Sequence, residues 1–273
     1  MNAPREAKAS AAAAVSAEAF LPVFEDAHLI VVDKASGISS VPFEPAGGAR
    51  PRARTSREGD ELTLQGVLEK KLRQKLQVVQ RLDRETSGLI VFAKTSEAAR
   101  ALAQQFRFHT IHRRYLALVH GLVRESAAIQ TPIARDRGDG LRGAPLPGVR
   151  VMRDDLKPAA THVRRLGLTG SGDTAMSLVE CRLETGRTHQ IRIHLSEAGH
   201  PLLGDEAYQR DFRGSPIPSD RILLHAAELG FRHPVKEGVE LLWKSKLPSD
   251  FHVDFAWSAT HGIDPAWFRD SLA

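Results

Sequence analysis

Short apolar runs separated by polar turns make up most of the chain, and helical periodicity appears in only three places. His28 to Asp33 is apolar and β-branched, which predicts a buried strand, with Lys34-Ala-Ser-Gly37-Ile as the turn after it. Leu64, Val67, Leu68 and Leu72 recur near 3.6-residue spacing and predict a helix over 63–76. Leu89 to Ala93 is a second buried strand. Ser96 is placed to cap a helix reaching about Phe108, with Glu97 in its first turn and Ala99, Leu102, Ala103 and Phe106 facing inward. Arg114 to Val123 alternates as a strand, with Tyr115, Ala117 and Val119 on one face. Further strands are predicted over 161–166, 175–183 and 222–231, and Glu184 to Gln190 forms a polar turn that opens a helix to about Ala198. Gly, Pro and Arg-rich stretches at 42–60 and 136–155 read as long loops.

Composition narrows this picture. With 273 residues, 42% hydrophobic and 26% charged, the chain has the make-up of a soluble globular protein of one large or two small domains. No run approaches the roughly 20 apolar residues that span a membrane. Cys181 is the single cysteine, so no intramolecular disulfide can form, and a reducing cytoplasm is the expected compartment. Residues 1–19 are rich in Ala and Ser and are expected to be a disordered tail.

The charge is uneven. The formal net charge is +5 and the sequence pI about 9.5. From Ala98 to Arg124 there is no acidic residue, while Arg100, Arg107, Arg113, Arg114 and Arg124 are present; Arg50, Arg52, Arg54 and Arg57 crowd the first long loop. Such patches can neutralise phosphates, and they also suit a plain solvated face.

The candidate chemistry lies in residues 80 to 95. Arg81, Asp83, Arg84 and Glu85 stand in a Thr-Ser-Gly turn directly before a buried strand. A carboxylate on a tight loop flanked by cations is a possible nucleophile or base, and equally a solvated acid on a charged loop. Other chemistries lack their motifs: no Cys-x-x-Cys or His-Glu-x-x-His for a metal, no glycine-rich phosphate loop for a nucleotide cofactor, and no Gly-x-Ser-x-Gly elbow.

Taken in order, several motifs carry a resemblance. Arg81-Leu-Asp-Arg-Glu-Thr-Ser-Gly-Leu89 resembles the catalytic motif of the RluA-type RNA pseudouridine synthases. Val31-Val-Asp-Lys-Ala-Ser-Gly37, Arg114-Tyr-Leu-Ala-Leu-Val-His-Gly121, Leu183-Glu-Thr-Gly-Arg-Thr-His-Gln-Ile-Arg-Ile-His194, Gly199-His-Pro-Leu-Leu-Gly-Asp-Glu-Ala-Tyr208 and Leu223-Leu-His-Ala226 resemble the family's other motifs. The likeness runs from about 22 to 250 and departs at Gln80, where the family usually has His, and at Ala35, where it usually has Pro.

The resemblance implies an α+β fold, a mixed and mainly antiparallel central sheet with flanking helices and loops, in a catalytic domain over 20–255 with an extension over 256–273. It implies Asp83 as the catalytic aspartate, Tyr115 as the tyrosine on the target base, and Arg187 as the aspartate's ion-pair partner. Arg81 is implied to help displace the target nucleotide, and Ile191 and Leu224 to line the base pocket. Arg84, Arg113 and Arg114 are expected to bind the RNA. The implied reaction uses no metal, nucleotide or other cofactor. The partner is ribosomal RNA or tRNA, with large-subunit ribosomal RNA favoured, and a monomer is the default. With only about 20 residues before the first strand, no amino-terminal S4 RNA-binding domain is expected. A hydrolytic RNA glycosylase and a non-catalytic RNA-binding protein stay open as alternatives.

Overall fold

A computed structural model of the protein describes residues 19–42, 62–251 and 256–257. The expected amino-terminal tail, the arginines of the first long loop and the extension beyond 257 lie outside the described residues. The chain forms two compact units, one from residues up to 108 with 232–241, the other from 109–231 with the residues after 241.

In the first unit, β1 (Phe20–Glu25) pairs antiparallel with β2 (Leu29–Lys34), and β2 with β4 (Ser87–Ala93). The two-residue strand β3 (Gln77–Val78) also pairs antiparallel with β4. Every residue of β4 is buried, which is why it reads as an unbroken apolar run and not as an alternating one. Helix α1 (Leu64–Leu72) buries Leu64, Val67 and Leu68. It is shorter than its periodicity suggests because Arg73 turns left-handed at φ 52 and ends the ladder. Helix α2 (Ser96–Arg107) packs on β4. Its cap is Thr95 and not Ser96: the Thr95 hydroxyl accepts the Ala98 N–H at 3.2 Å from an extended backbone. Ala98 and Leu102 are its buried residues, and Ala103 is exposed.

The second unit is built on β5 (His112–His120), which pairs antiparallel with β8 (Met176–Leu183) and with β9 (Leu224–Arg232). Outside β8 lies β7 (Thr161–Thr169), itself flanked by β6 (Ser126–Ile129) and the short β11 (Ala256–Trp257), all antiparallel. Strand β10 (Glu240–Lys244) pairs with β9. One sheet face buries Leu116, Leu118, Leu166, Leu178 and Leu223 against Leu247 and Phe251. On the other face helix α3 (Gln190–Glu197) packs against β7, with Ile193 in a smaller cluster of Ile133, Ala159 and Tyr208. Few helices on antiparallel sheets make the fold α+β, as expected. Strands β3 and β6 are short and bury none of their residues fully, so they leave too little pattern to be read from sequence.

Candidate active site

Residues 79–86 join β3 to β4 and carry Asp83. The loop has no helix or ladder of its own, so other groups must satisfy its backbone. Strand β2 ends in Lys34, whose side chain is 1% exposed. Its Nζ donates to the carbonyls of Ala35 (2.8 Å), Ile38 (2.9 Å) and Arg84 (3.0 Å). Three acceptors for three N–H donors make burial of an ammonium tolerable. The Gly37 N–H also donates to Arg84 O at 2.9 Å, at a φ of 88 that suits glycine. Ser36 Oγ donates to Glu85 O at 2.8 Å, and Ser40 Oγ donates to Leu82 O while accepting the Leu82 N–H. The backbone is thereby held on both sides of the half-buried Asp83. Arg84 adds to the brace, its Nε donating to Gly37 O at 3.0 Å, whereas Arg81 is exposed. At the departure Ala35, the N–H donates to Ala19 O at 2.9 Å, a bond proline cannot make. At the other departure, Gln80 Nε2 is buried with no hydrogen-bond partner among the described residues.

In the second unit, Tyr115 pairs with Cys181 on one side and Ala226 on the other. Alternation puts Arg113, Tyr115 and Ala117 on one face of β5, and Leu224, paired with Ala117, shares it. Tyr115, Leu224 and Ile191 are all buried. Arg113 reaches the turn before α3: a Cβ added at Gly186 would lie 3.1 Å from its Nη1. Glycine at 186 therefore lets the turn and the guanidinium approach each other closely.

That turn is fastened by Gln190, 2% exposed, which uses all the hydrogen bonds of its amide. Its Oε1 accepts from Arg187 N (2.9 Å) and Thr185 Oγ1 (2.7 Å), and its Nε2 donates to Ala160 O (2.9 Å) and Thr161 Oγ1 (3.0 Å). Arg187 is exposed, and its Nε donates to Pro158 O at 3.1 Å. His189 caps α3 at φ 57, its Nδ1 3.1 Å from Tyr208 Oη. The buried Arg192 forms a bidentate pair with Asp205 at 2.7 and 2.9 Å. A Cβ at Gly204 would sit 2.0 Å from Arg221 O, so only glycine fits there.

Arg114 is placed differently from the expectation of an RNA contact. It faces away from Tyr115, buried, with its Nε 2.5 Å from Glu180 and its Nη1 2.9 Å from Glu228. Arg164 and Arg182 also pair with Glu180, and His112 with Glu228. Burial acts to raise the Glu228 pKa, but the His112 hydrogen bond and the Arg114 charge outweigh it and hold the carboxyl below its ordinary value. The Arg114 charge is thus engaged inside the fold. Burial, with the Glu180 charge, pushes the Cys181 thiol far above its ordinary range, so it is no nucleophile.

Residues 28–197 match the profile of the RNA pseudouridylate synthase family. The chain belongs to that family. Among its curated relatives, ribosomal large subunit pseudouridine synthase D of Zymomonas mobilis is 36% identical over 85% of this chain and 71% of that protein. The synthase D of Nitrosomonas europaea is 40% identical over 84% of this chain and 62% of its own length. The dual-specificity RNA pseudouridine synthase RluA of Vibrio vulnificus is 35% identical over 89% of both. Human RNA Pseudouridylate Synthase Domain Containing 1 shares the fold, with a TM-score of 0.65 at 23% identity over 93% of this chain and 95% of that one.

For a pseudouridine synthase, the residues that sequence reasoning missed are those under the motifs. Lys34, Ser36 and Ser40 hold the aspartate loop, Gln190 holds the arginine turn, and Arg192 and Asp205 tie α3 to the loop that follows it. One signal was available: a lysine closing an apolar strand just before a glycine turn, where a solvated lysine has no reason to sit. Among the described residues no helix is long and apolar enough to cross a membrane, and no grouping of side chains could hold a metal ion.

Proposed function

We propose that this chain isomerises specific uridines of large-subunit ribosomal RNA to pseudouridine, with Asp83 as the catalytic carboxylate. The observation that carries the reading is the Asp83 loop itself. It is a short polar loop whose neighbouring carbonyls are fixed by a buried ammonium and two hydroxyls while the carboxylate is left half-buried at the surface. Fixing a loop so firmly around an acid serves a reacting group better than a solvated one.

The target uridine must leave its stack before its glycosidic bond can be reached, and Arg81 fills the space it vacates. Breaking the bond between N1 and the ribose builds positive charge at the sugar, which the Asp83 carboxylate stabilises or captures. Arg187 serves as the ion-pair partner of the Asp83 carboxylate. Tyr115 stacks on the uracil and assists removal of the C5 proton after the base has rotated and rejoined through C5; Ile191 and Leu224 line its pocket. Arg113, on the Tyr115 face, and Arg84 contact the RNA backbone. The reaction needs no metal, nucleotide or redox partner, and the protein works as a cytoplasmic monomer.

A second RNA, such as tRNA, is the alternative substrate. It is favoured by the relative named for dual specificity, which the chain matches over 89% of its length against 62–71% for the two synthase D proteins. Pseudouridine mapping of ribosomal RNA and tRNA from a deletion strain decides between them. Loss of a ribosomal site, restored by the wild-type chain and not by Asp83→Asn, supports the first reading, and loss of a tRNA site the second.

A further inference from the structure

At the carboxyl end of α2 the chain exposes four consecutive side chains, Arg107, Phe108, His109 and Thr110. Phe108 is 63% exposed and is the one aromatic among the exposed large apolar side chains of the described residues. A single exposed aliphatic side chain needs no explanation, since much of any protein surface is apolar. Phe108 differs in its company. The Arg107 guanidinium stands 6.0 Å from the centre of its ring. His109 follows in the left-handed region at φ 56, a conformation costly for a residue with a Cβ, and its imidazole is exposed too. Helix α2 also exposes Arg100, and the chain carries no acid from Ala98 to Arg124.

An exposed phenyl ring with a guanidinium 6.0 Å from its centre, followed in sequence by an exposed imidazole in an acid-free run, offers groups on which unpaired RNA bases stack. A duplex hides its base faces and offers this platform only phosphates. A protein partner is a poorer fit than a polyanion for a run that carries Arg100, Arg107, Arg113, Arg114 and Arg124 and no acid.

We propose that Phe108, with Arg107 and His109, is a stacking platform for an unpaired base of the RNA that flanks the target uridine. The proposal rests on the reading of the chain as an RNA pseudouridine synthase. It adds a subsite in which this chain selects single-stranded or looped RNA by stacking and not by base-edge hydrogen bonds.

The test measures binding by fluorescence anisotropy of a labelled hairpin RNA with an unpaired, uridine-containing loop, and of a blunt duplex with the same stem. The protein is the full chain carrying Asp83→Asn, so that no turnover intervenes. Adding Phe108→Ala is expected to weaken hairpin binding about tenfold, in line with the loss of one base–aromatic stack, and to leave duplex binding unchanged. Phe108→Leu should behave like alanine, and Phe108→Trp should restore affinity and have its indole emission quenched by the hairpin. Equal hairpin affinity for Phe108 and alanine, equal losses on hairpin and duplex, or full rescue by leucine would each overturn the platform. Failure of the enzyme reading shows separately, as absence of pseudouridine in RNA treated with the wild-type chain.

Discussion

The aspartate loop and the arginine turn solve one problem, holding a charged side chain in place, by opposite means. Around Asp83 the backbone is held from outside by the side chain of Lys34, with Ser36 and Ser40 beside it. Around Arg187 the backbone is held from inside by Gln190, a residue of the same turn that opens α3, with β7 as the anchor. The first device is a buried charge and fails badly when cut, because three carbonyls lose their donor at once. The second is a neutral amide, whose loss removes four bonds of ordinary strength.

The largest effect should follow from Lys34→Met. The side chain is of similar length, but the carbonyls of Ala35, Ile38 and Arg84 lose their donor in a buried site. At about 1–3 kcal/mol for each buried group left unmade, a loss of about 4 kcal/mol is expected by denaturant unfolding. At temperatures where the protein is still folded, pseudouridine formation should fall while RNA affinity holds. A stable, fully active Lys34→Met protein would remove the brace from the account.

Gln190→Leu should cost less, about 2–3 kcal/mol, since neutral hydrogen bonds contribute about 1 kcal/mol each and part of the apolar packing is kept. It should loosen the turn, seen as faster hydrogen exchange at the Arg187 amide, and leave exchange of the Asp83 loop as it was. Parallel changes in both regions would show that they are not independently braced.

Acid sensitivity comes next. Burial pushes the His225 pKa down to about 3, the nearby Arg221 charge adding to the effect. An unfolded histidine titrates near 6.5, so between these values the unfolded state binds the extra proton and stability falls as pH falls. The penalty for this one group is about 2 kcal/mol at pH 5 and absent at pH 8. His225→Leu should flatten the pH dependence of unfolding between 8 and 5. An unchanged slope would place the acid sensitivity elsewhere, with the buried His120 and His194, also held below the ordinary value by burial, the next to test.

The smallest effect is expected for Gly186→Ala. The new Cβ meets only the flexible end of Arg113, at 3.1 Å, and stability should change by less than about 1 kcal/mol. If Arg113 grips RNA, displacing its guanidinium should still weaken RNA binding severalfold, and unaltered affinity would remove that contact.

The two regions also differ in how legible they were. The buried strands β2 and β4 and the alternation of β5 could be read directly, since burial writes itself as apolar runs and period-two patterns. The identity of Asp83 came from the motif and not from any pattern of burial. Beyond the hint of a lysine closing an apolar strand, the partners of the braces could not be read, because they join residues far apart in sequence, such as Lys34 to Arg84 and Thr161 to Gln190, through single polar side chains. Arg113 and Arg114 looked alike in a basic run. Strand alternation alone separates them, putting one beside Tyr115 and committing the other to Glu180 and Glu228.

The central claim is that a fixed Asp83 lets this chain move uracil from N1 to C5 linkage. The most direct measurement follows tritium released from RNA containing 5-tritiated uridine, together with nucleoside analysis of the product. The account predicts tritium release matched mole for mole by pseudouridine, no free uracil, and neither product from a folded Asp83→Asn chain. Free uracil in place of pseudouridine, or full release by Asp83→Asn, would contradict it.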